Sequence, residues 1–191
     1  GGLHTDREDI EADKRFYRKW ELCESTNPEK VAVFSDACVD ADVMIALSKP
    51  GPDTVKPEWI TTMAEKSIVF TCANPVPEIY PYAAKKAGAY ITATGRGDFK
   101  NQVNNSIGFP GILKGALMVR AKKVTDNMAI AAAYSLANYA EKRGINPDNI
   151  VPSMQEAGVF AVEAADVAMQ AIKDGVARLE MTWQEAYDKA K

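Results

Sequence analysis

Ala89-Tyr90-Ile91-Thr92-Ala93-Thr94-Gly95-Arg96-Gly97-Asp98-Phe99-Lys100-Asn101-Gln102-Val103-Asn104-Asn105 passes from a short apolar run into a glycine- and amide-rich loop. Earlier in the chain the same passage occurs: Ile68-Val69-Phe70 leads into Cys72-Ala73-Asn74-Pro75-Val76-Pro77-Glu78-Ile79. Short runs of β-branched and aromatic residues ended by Gly, Pro or Asn read as buried strands of a parallel sheet. In such sheets ligands bind just beyond the carboxyl ends of the strands. Both loops fall there, and together they offer Asn74, Asn101, Gln102, Asn104 and Asn105. Neutral amides donate and accept at once. They suit recognition of a carboxylate or carboxamide better than acid–base chemistry, and five of them exceed what turning the chain requires.

Working outward, Val43-Met44-Ile45-Ala46-Leu47 supplies a third strand, closed by Ser48-Lys49-Pro50-Gly51-Pro52. Thr5 to about Glu24 predicts one helix, capped by Thr5 or Asp6, with Ile10, Phe16, Trp20 and Cys23 as its apolar stripe and Ser25-Thr26-Asn27-Pro28 as its end. A short helix is expected between Glu29 and Val39. Pro57 opens another at its favoured first position, and Tyr82 to Ala87 forms one more, ended by Gly88. Beyond Pro110 the character changes. Ile112–Ala121, Asp126–Lys142, Ser153–Asp174 and Thr182–Lys189 read as successive helices, punctuated by Gly144, Pro147 and Gly175. The run Met128-Ala129-Ile130-Ala131-Ala132-Ala133 predicts close helix packing. The fold class is therefore α/β, a thin parallel sheet flanked by helices, with a helical C-terminal segment.

The bulk properties exclude several function classes. A chain of 191 residues can bury a core, and 23 basic against 26 acidic residues leave no excess that would draw nucleic acid or an anionic membrane. No apolar run approaches a membrane span. Three cysteines without C-x-x-C spacing suggest neither a disulfide framework nor a zinc site, and read as buried thiols of a cytoplasmic protein. His4, the sole histidine, reads as a solvated surface residue, and Arg15, Arg18 and Lys19 as a solvated face. The dinucleotide fingerprint G-x-G-x-x-G is absent; after Gly95-Arg96-Gly97 no third glycine falls in register.

Ala73-Asn74-Pro75-Val76-Pro77-Glu78-Ile79, the loop from Thr94 to Asn105, and Phe109-Pro110-Gly111-Ile112-Leu113-Lys114-Gly115-Ala116-Leu117 resemble specific segments of malic enzymes of the compact prokaryotic type. The family usually carries Ser at Gly97, Pro at Lys100 and Arg at Lys114, departures that leave the amides intact. Looser similarity runs from Gly2 to about Ala190. The resemblance implies a partial Rossmann-like sheet, with residues 1–191 as an NAD(P)-binding domain lacking its first βαβ half and a helical tail over about 109–191. On this reading the glycine-rich turn lies upstream of Gly1-Gly2-Leu3, which opens without an initiator Met.

The resemblance also implies a chemistry: L-malate is oxidised by hydride transfer to NAD or NADP and decarboxylated to pyruvate, with Mg or Mn as the divalent cation. The metal ligands and the proton-transferring Lys/Tyr pair are expected outside this chain, so no catalytic or metal residue is assigned within it. Asn74 is expected to touch the substrate carboxylate and cofactor, and Asn104 and Asn105 to reach the carboxylate and the nicotinamide carboxamide. Ser48, just past the strand at Met44, is placed to line the cofactor site. A homo-oligomer is expected, completed by the N-terminal part of the same protein. Two alternatives remain: a malolactic enzyme that releases lactate, and a non-catalytic nucleotide-binding module. The 191 residues alone are expected to be inactive.

Overall fold

A computed structural model describes residues 2–191, so the opening Gly1 lies outside the described residues. Its sheet has three parallel strands in the order β1 (Val43–Ala46), β2 (Ile68–Thr71) and β3 (Ile91–Thr94). Helices α4 (Pro57–Ile60) and α5 (Pro81–Lys86) lie in the crossovers. Pro occupies the first turn of each, where its missing N–H costs nothing. Gly88 takes φ +109, a conformation that strains any residue with a Cβ, and ends α5.

Register decides which strand residues share a face. Met44 pairs with Val69 and Val69 with Thr92, while Ala46 pairs with Thr71 and Thr71 with Thr94. All six are buried. Their apolar members join Val55, Ile60, Met63, Ile79, Ala84 and Ala89 in one core. The opposite face differs from the expectation of strands buried on both sides. There Val43, Ile45 and Leu47 are 50%, 60% and 76% exposed, whereas Ala93 on β3 is sealed. The face is covered at β3 and open at β1, the arrangement of an edge strand with nothing laid over it among the described residues.

A second core holds the C-terminal half. Helices α6 (Phe109–Met118), α7 (Asp126–Arg143) and α9 (Trp183–Ala190) pack around α8 (Ala157–Lys173). Helix α8 is buried along Val159, Ala164, Val167, Ala168 and Ala171. Thr125 caps α7 by accepting from the Met128 N–H, and Thr182 and Glu185 form a reciprocal capping box on α9. The four helices match the expected segments within a few residues. The small-residue packing falls elsewhere than expected, however. On α7 only Met128 and Ala132 of the alanine-rich run are buried, and Ile130 is exposed. Close packing is instead between α6, through Gly111 and Gly115, and α8.

The N-terminal segment also departs from a single helix. It is a short α1 (Glu8–Glu11), a 3-10 turn over Lys14–Phe16, and α2 (Tyr17–Ser25). Asp13 breaks the run: its carboxylate accepts from the Arg15 N–H and starts a new turn, a local bond that competes with the helix. Neither Thr5 nor Asp6 caps α1, whose N-cap is Arg7. Ile10 and Cys23 are buried, but Phe16 is exposed. Arg15, Arg18 and Lys19 are solvated, as expected. His4 is half-buried with Nδ1 sealed from solvent, contrary to a freely solvated side chain. The expected short helix before β1 is α3 (Phe34–Ala37). Among the described residues no helix is long and apolar enough to cross a membrane.

Candidate functional site

The carboxyl ends of the three strands carry Ser48, the loop from Cys72 to Ile79, and the loop from Gly95 to Asn105. Glu78 ties the first two together. It is fully buried, and its Oε1 accepts from the Ser48 N–H at 2.7 Å and from the Ser48 hydroxyl at 3.2 Å. Its Oε2 accepts from the Ala73 N–H at 3.0 Å. A buried carboxylate is stable only with such donors, so Glu78 is a structural clamp. Ser48 is exposed with its hydroxyl proton given to Glu78, and it keeps its oxygen lone pairs for a ligand. Cys72, beside this clamp, is a poor nucleophile: burial, and then the charge of Glu78, raise its thiol above the usual range.

Gly95 is where the two amide loops meet. A Cβ on this buried residue would stand 3.1 Å from Asn74 Nδ2 and 3.2 Å from the Cys72 carbonyl oxygen. The Gly95 carbonyl accepts from Asn104 Nδ2 at 2.9 Å. Arg96 closes the seam, donating to the Pro75 carbonyl at 3.0 Å while forking onto Asp98. That guanidinium holds the Asp98 carboxyl below its ordinary range. The Asn74–Pro75 peptide bond is cis.

The five amides divide by what their side chains already do. Asn101 is spent: Nδ2 donates to the carbonyls of Thr92 and Pro147, and Oδ1 accepts from the Ile150 N–H. It fastens the loop to the segment between α7 and α8. Asn104 is half committed, donating one N–H to Gly95 and accepting from the Ser106 N–H at 2.9 Å, which leaves one N–H and one lone pair. Asn74, Gln102 and Asn105 have no side-chain hydrogen bond within the described chain, and Asn74 and Asn105 are exposed. The structure thus brings Ser48, Asn74, Asn104 and Asn105 to one sheet edge, and leaves Asn74 and Asn105 with full capacity for a ligand.

Two residues at this edge escaped the sequence reading. Thr94, the last residue of β3, is fully buried with a hydroxyl that finds no partner. Glu163 on α8 is also fully buried, against Gly108 and Gly111 at the start of α6, just after Asn104 and Asn105. Neither of its oxygens closes a hydrogen bond of ordinary geometry, and desolvation raises its pKa to about 8, the Gly111 N–H offsetting only part. Periodicity carried the signal. Val159, Glu163 and Val167 stand four residues apart on the apolar face of α8, so Glu163 interrupts a core stripe. Among the described residues no group of three or more His, Cys, Asp or Glu could hold a metal ion.

A parallel sheet with crossover helices and polar loops at its carboxyl edge is the arrangement of a Rossmann-like nucleotide-binding unit. The family profile of the malic enzyme NAD-binding domain ("Malic enzyme, NAD binding domain") matches residues 1–173, and the chain belongs to that family. The crystal structure of Entamoeba histolytica malic enzyme superposes with a TM-score of 0.97 and 71% identity, over 100% of this chain and 39% of that one. That of the Pyrococcus horikoshii malic enzyme gives a TM-score of 0.87 and 46% identity, over 95% of this chain and 42% of that one. A bifunctional malic/malolactic enzyme of Bacillus subtilis is 40% identical over 91% of this chain and 42% of its own length. The chain therefore spans about two fifths of these relatives. Other relatives are named NAD-dependent and NADP-dependent malic enzymes.

Proposed function

We propose that this chain serves an NAD(P)-dependent malic enzyme, which oxidises L-malate and decarboxylates it to pyruvate and CO2. The observation that carries the reading, beside family membership, is the pair of unspent amides, Asn74 and Asn105, on two loops locked together at Gly95. Bound NAD(P) supplies the hydride acceptor. A carboxylate taken out of water needs donors, and Asn74 supplies them without a charge of its own. Asn105 offers the same to a second carboxylate or to a carboxamide. Ser48, restrained by Glu78, can accept a hydrogen bond from the cofactor. Arg96 and Gly95 hold the loops in register, which fixes the angle between substrate and cofactor that hydride transfer requires. Among the described residues no group of three or more His, Cys, Asp or Glu stands together, and on this reading the ligands of Mg or Mn are residues outside the chain. The substrate and product, a homo-oligomeric state and a cytoplasmic location belong to the same proposal.

In the enzyme that carries these residues, Asn74→Ala is expected to lose a hydrogen bond to a charged carboxylate, about 1.5–3 kcal/mol. That corresponds to roughly 10- to 150-fold in kcat/KM for malate. Asn74→Asp is expected to lose more, because it sets like charges together. Both variants should unfold at the wild-type temperature. Asn104→Ala should instead lower stability by about 1–2 kcal/mol, since it removes two intramolecular bonds. Wild-type kcat/KM in folded Asn74→Ala would remove Asn74 from the site.

The 191 residues by themselves are expected to show no malate-dependent reduction of NAD or NADP with Mg or Mn present. The chain offers neither a metal cluster among its described residues nor a glycine-rich pyrophosphate turn. A steady-state assay paired with intact mass of the sample checks this. Turnover by a species of only these residues would overturn it. The Bacillus subtilis relative's name keeps a malolactic outcome in view, and product analysis, pyruvate against lactate, separates the two.

A further inference from the structure

A groove away from the sheet edge runs between α7, α8 and α9, with a volume of about 690 Å3. Ser135, Asn138, Tyr139 and Lys142 line it from α7. Their spacing of three, four and seven residues puts them on one helix face. Trp183 of α9 and Asp166 of α8 stand across from them. Glu156 is paired with Arg143, whereas Asp166 has only a neutral partner and keeps its charge. Asp166 accepts from Trp183 Nε1 at 2.7 Å. Glu156 accepts from Arg143 and from the Ser153 N–H, and Arg143 also donates to Asn149.

What remains on α7 is unmatched. Ser135 is only 3% exposed, and its hydroxyl is sealed from solvent without a partner. A helical serine ordinarily turns back to a preceding carbonyl; this one does not. Asn138, Tyr139 and Lys142 likewise have no side-chain partner within the described chain. The unspent capacity is therefore mainly that of donors: two hydroxyls, an amide and an ammonium. A groove of this size, with an aromatic wall and convergent donors, is built like a small-molecule site.

We propose that this groove binds a small organic anion through a carboxylate, with Lys142 as the charge partner, Asn138 and Tyr139 as flanking donors, and Ser135 as the buried anchor. None of its lining residues belongs to the loops of Asn74 and Asn105, so the proposal does not depend on the function assigned to that edge.

The test titrates the 191-residue chain with succinate, butyrate and 1,4-diaminobutane, following backbone amide resonances by two-dimensional NMR. Succinate or butyrate is expected to shift the amides of Ser135, Asn138 and Tyr139 saturably, and the diamine is not. Lys142→Gln, a change on an exposed turn, should weaken that binding about tenfold, the loss of one charge-assisted bond. Ser135→Ala should weaken it less, with the helical spectrum preserved. The proposal is overturned if neither carboxylate shifts α7, if Lys142→Gln binds as well as wild type, or if the diamine fills the groove. Shifts confined to the loops at Asn74 and Asn105 would overturn it equally.

Discussion

Replacing Glu163 with Gln is expected to abolish a fall in stability that the wild-type chain undergoes as pH rises from about 4.5 to about 8. The carboxyl is fully buried and has no hydrogen-bond partner of ordinary geometry, and desolvation pushes its pKa from an ordinary 4.5 up to about 8. Between those values the folded chain holds a proton that the unfolded chain has released. Stability therefore falls with rising pH, by about 1.4 kcal/mol per unit at most, for a total of roughly 3–5 kcal/mol. The contribution is intact below the lower value and fully lost above the upper one. Gln keeps the shape and cannot ionise. Urea unfolding at pH 5, 7 and 9 should show wild type losing ground to Glu163→Gln at each step. Parallel curves for the two proteins would show that Glu163 ionises at no cost.

This window is separable from the acidic one. Asp174 receives hydrogen bonds from Thr125, Gln170 and Asn127, which hold its carboxyl below the ordinary range. A depressed carboxyl works in the opposite sense. Its contribution is present above the unfolded pKa and is lost as pH falls. Glu163 lies within α8 and Asp174 caps its C-terminus, so one helix carries carboxyls that act in opposite pH windows. Glu163 also stands beside the turn that starts α6, immediately after Asn105. Its ionisation would push first on the segment that follows Asn104 and Asn105.

Gly115→Ala is expected to destabilise the chain by about 3 kcal/mol, an overpacking cost at the upper end of the usual range. A Cβ at Gly115 would stand 2.6 Å from the Ala164 carbonyl oxygen and 2.8 Å from Val167 Cβ. The first contact is with helix backbone, which cannot swing aside, so α6 and α8 must part. At Gly111 the nearest atoms all belong to the side chain of Glu163, the first at 2.2 Å, and that chain has rotamers to try. Gly111→Ala should therefore cost less than Gly115→Ala. Thermal unfolding of both variants checks the order, and equal losses would show that α8 yields as readily as a side chain. The two residues differ by one helical turn, yet their neighbours make them unequal.

Much of the fold was legible because its signals are local. Pro57 and Pro81 open their helices, and Gly88, Gly144 and Gly175 take the positive φ that ends theirs. The β-branched runs at Met44, Val69 and Thr92 became three parallel strands in chain order. The amide loops fell at the carboxyl edge because strand direction and crossover handedness put them there. Each of these depends on a residue and its near neighbours, which the sequence states.

Other features depended on partners far along the chain. Asn101 and Asn104 look alike in sequence to Asn74 and Asn105. Asn101 is consumed by Pro147 and Ile150, more than forty residues away, and Asn104 is half committed to Gly95 and Ser106. Glu78 reads as a loop acid until the Ser48 and Ala73 N–H groups close on it. The break at Asp13 arose from a side chain outcompeting the backbone for the Arg15 N–H, a contest of similar energies that periodicity does not weigh. The sequence by itself determined where donors and acceptors occur and which segments would be regular. Tertiary structure decided which were already spent, because a hydrogen bond or a buried charge is settled by whatever the fold brings within 3 Å of it.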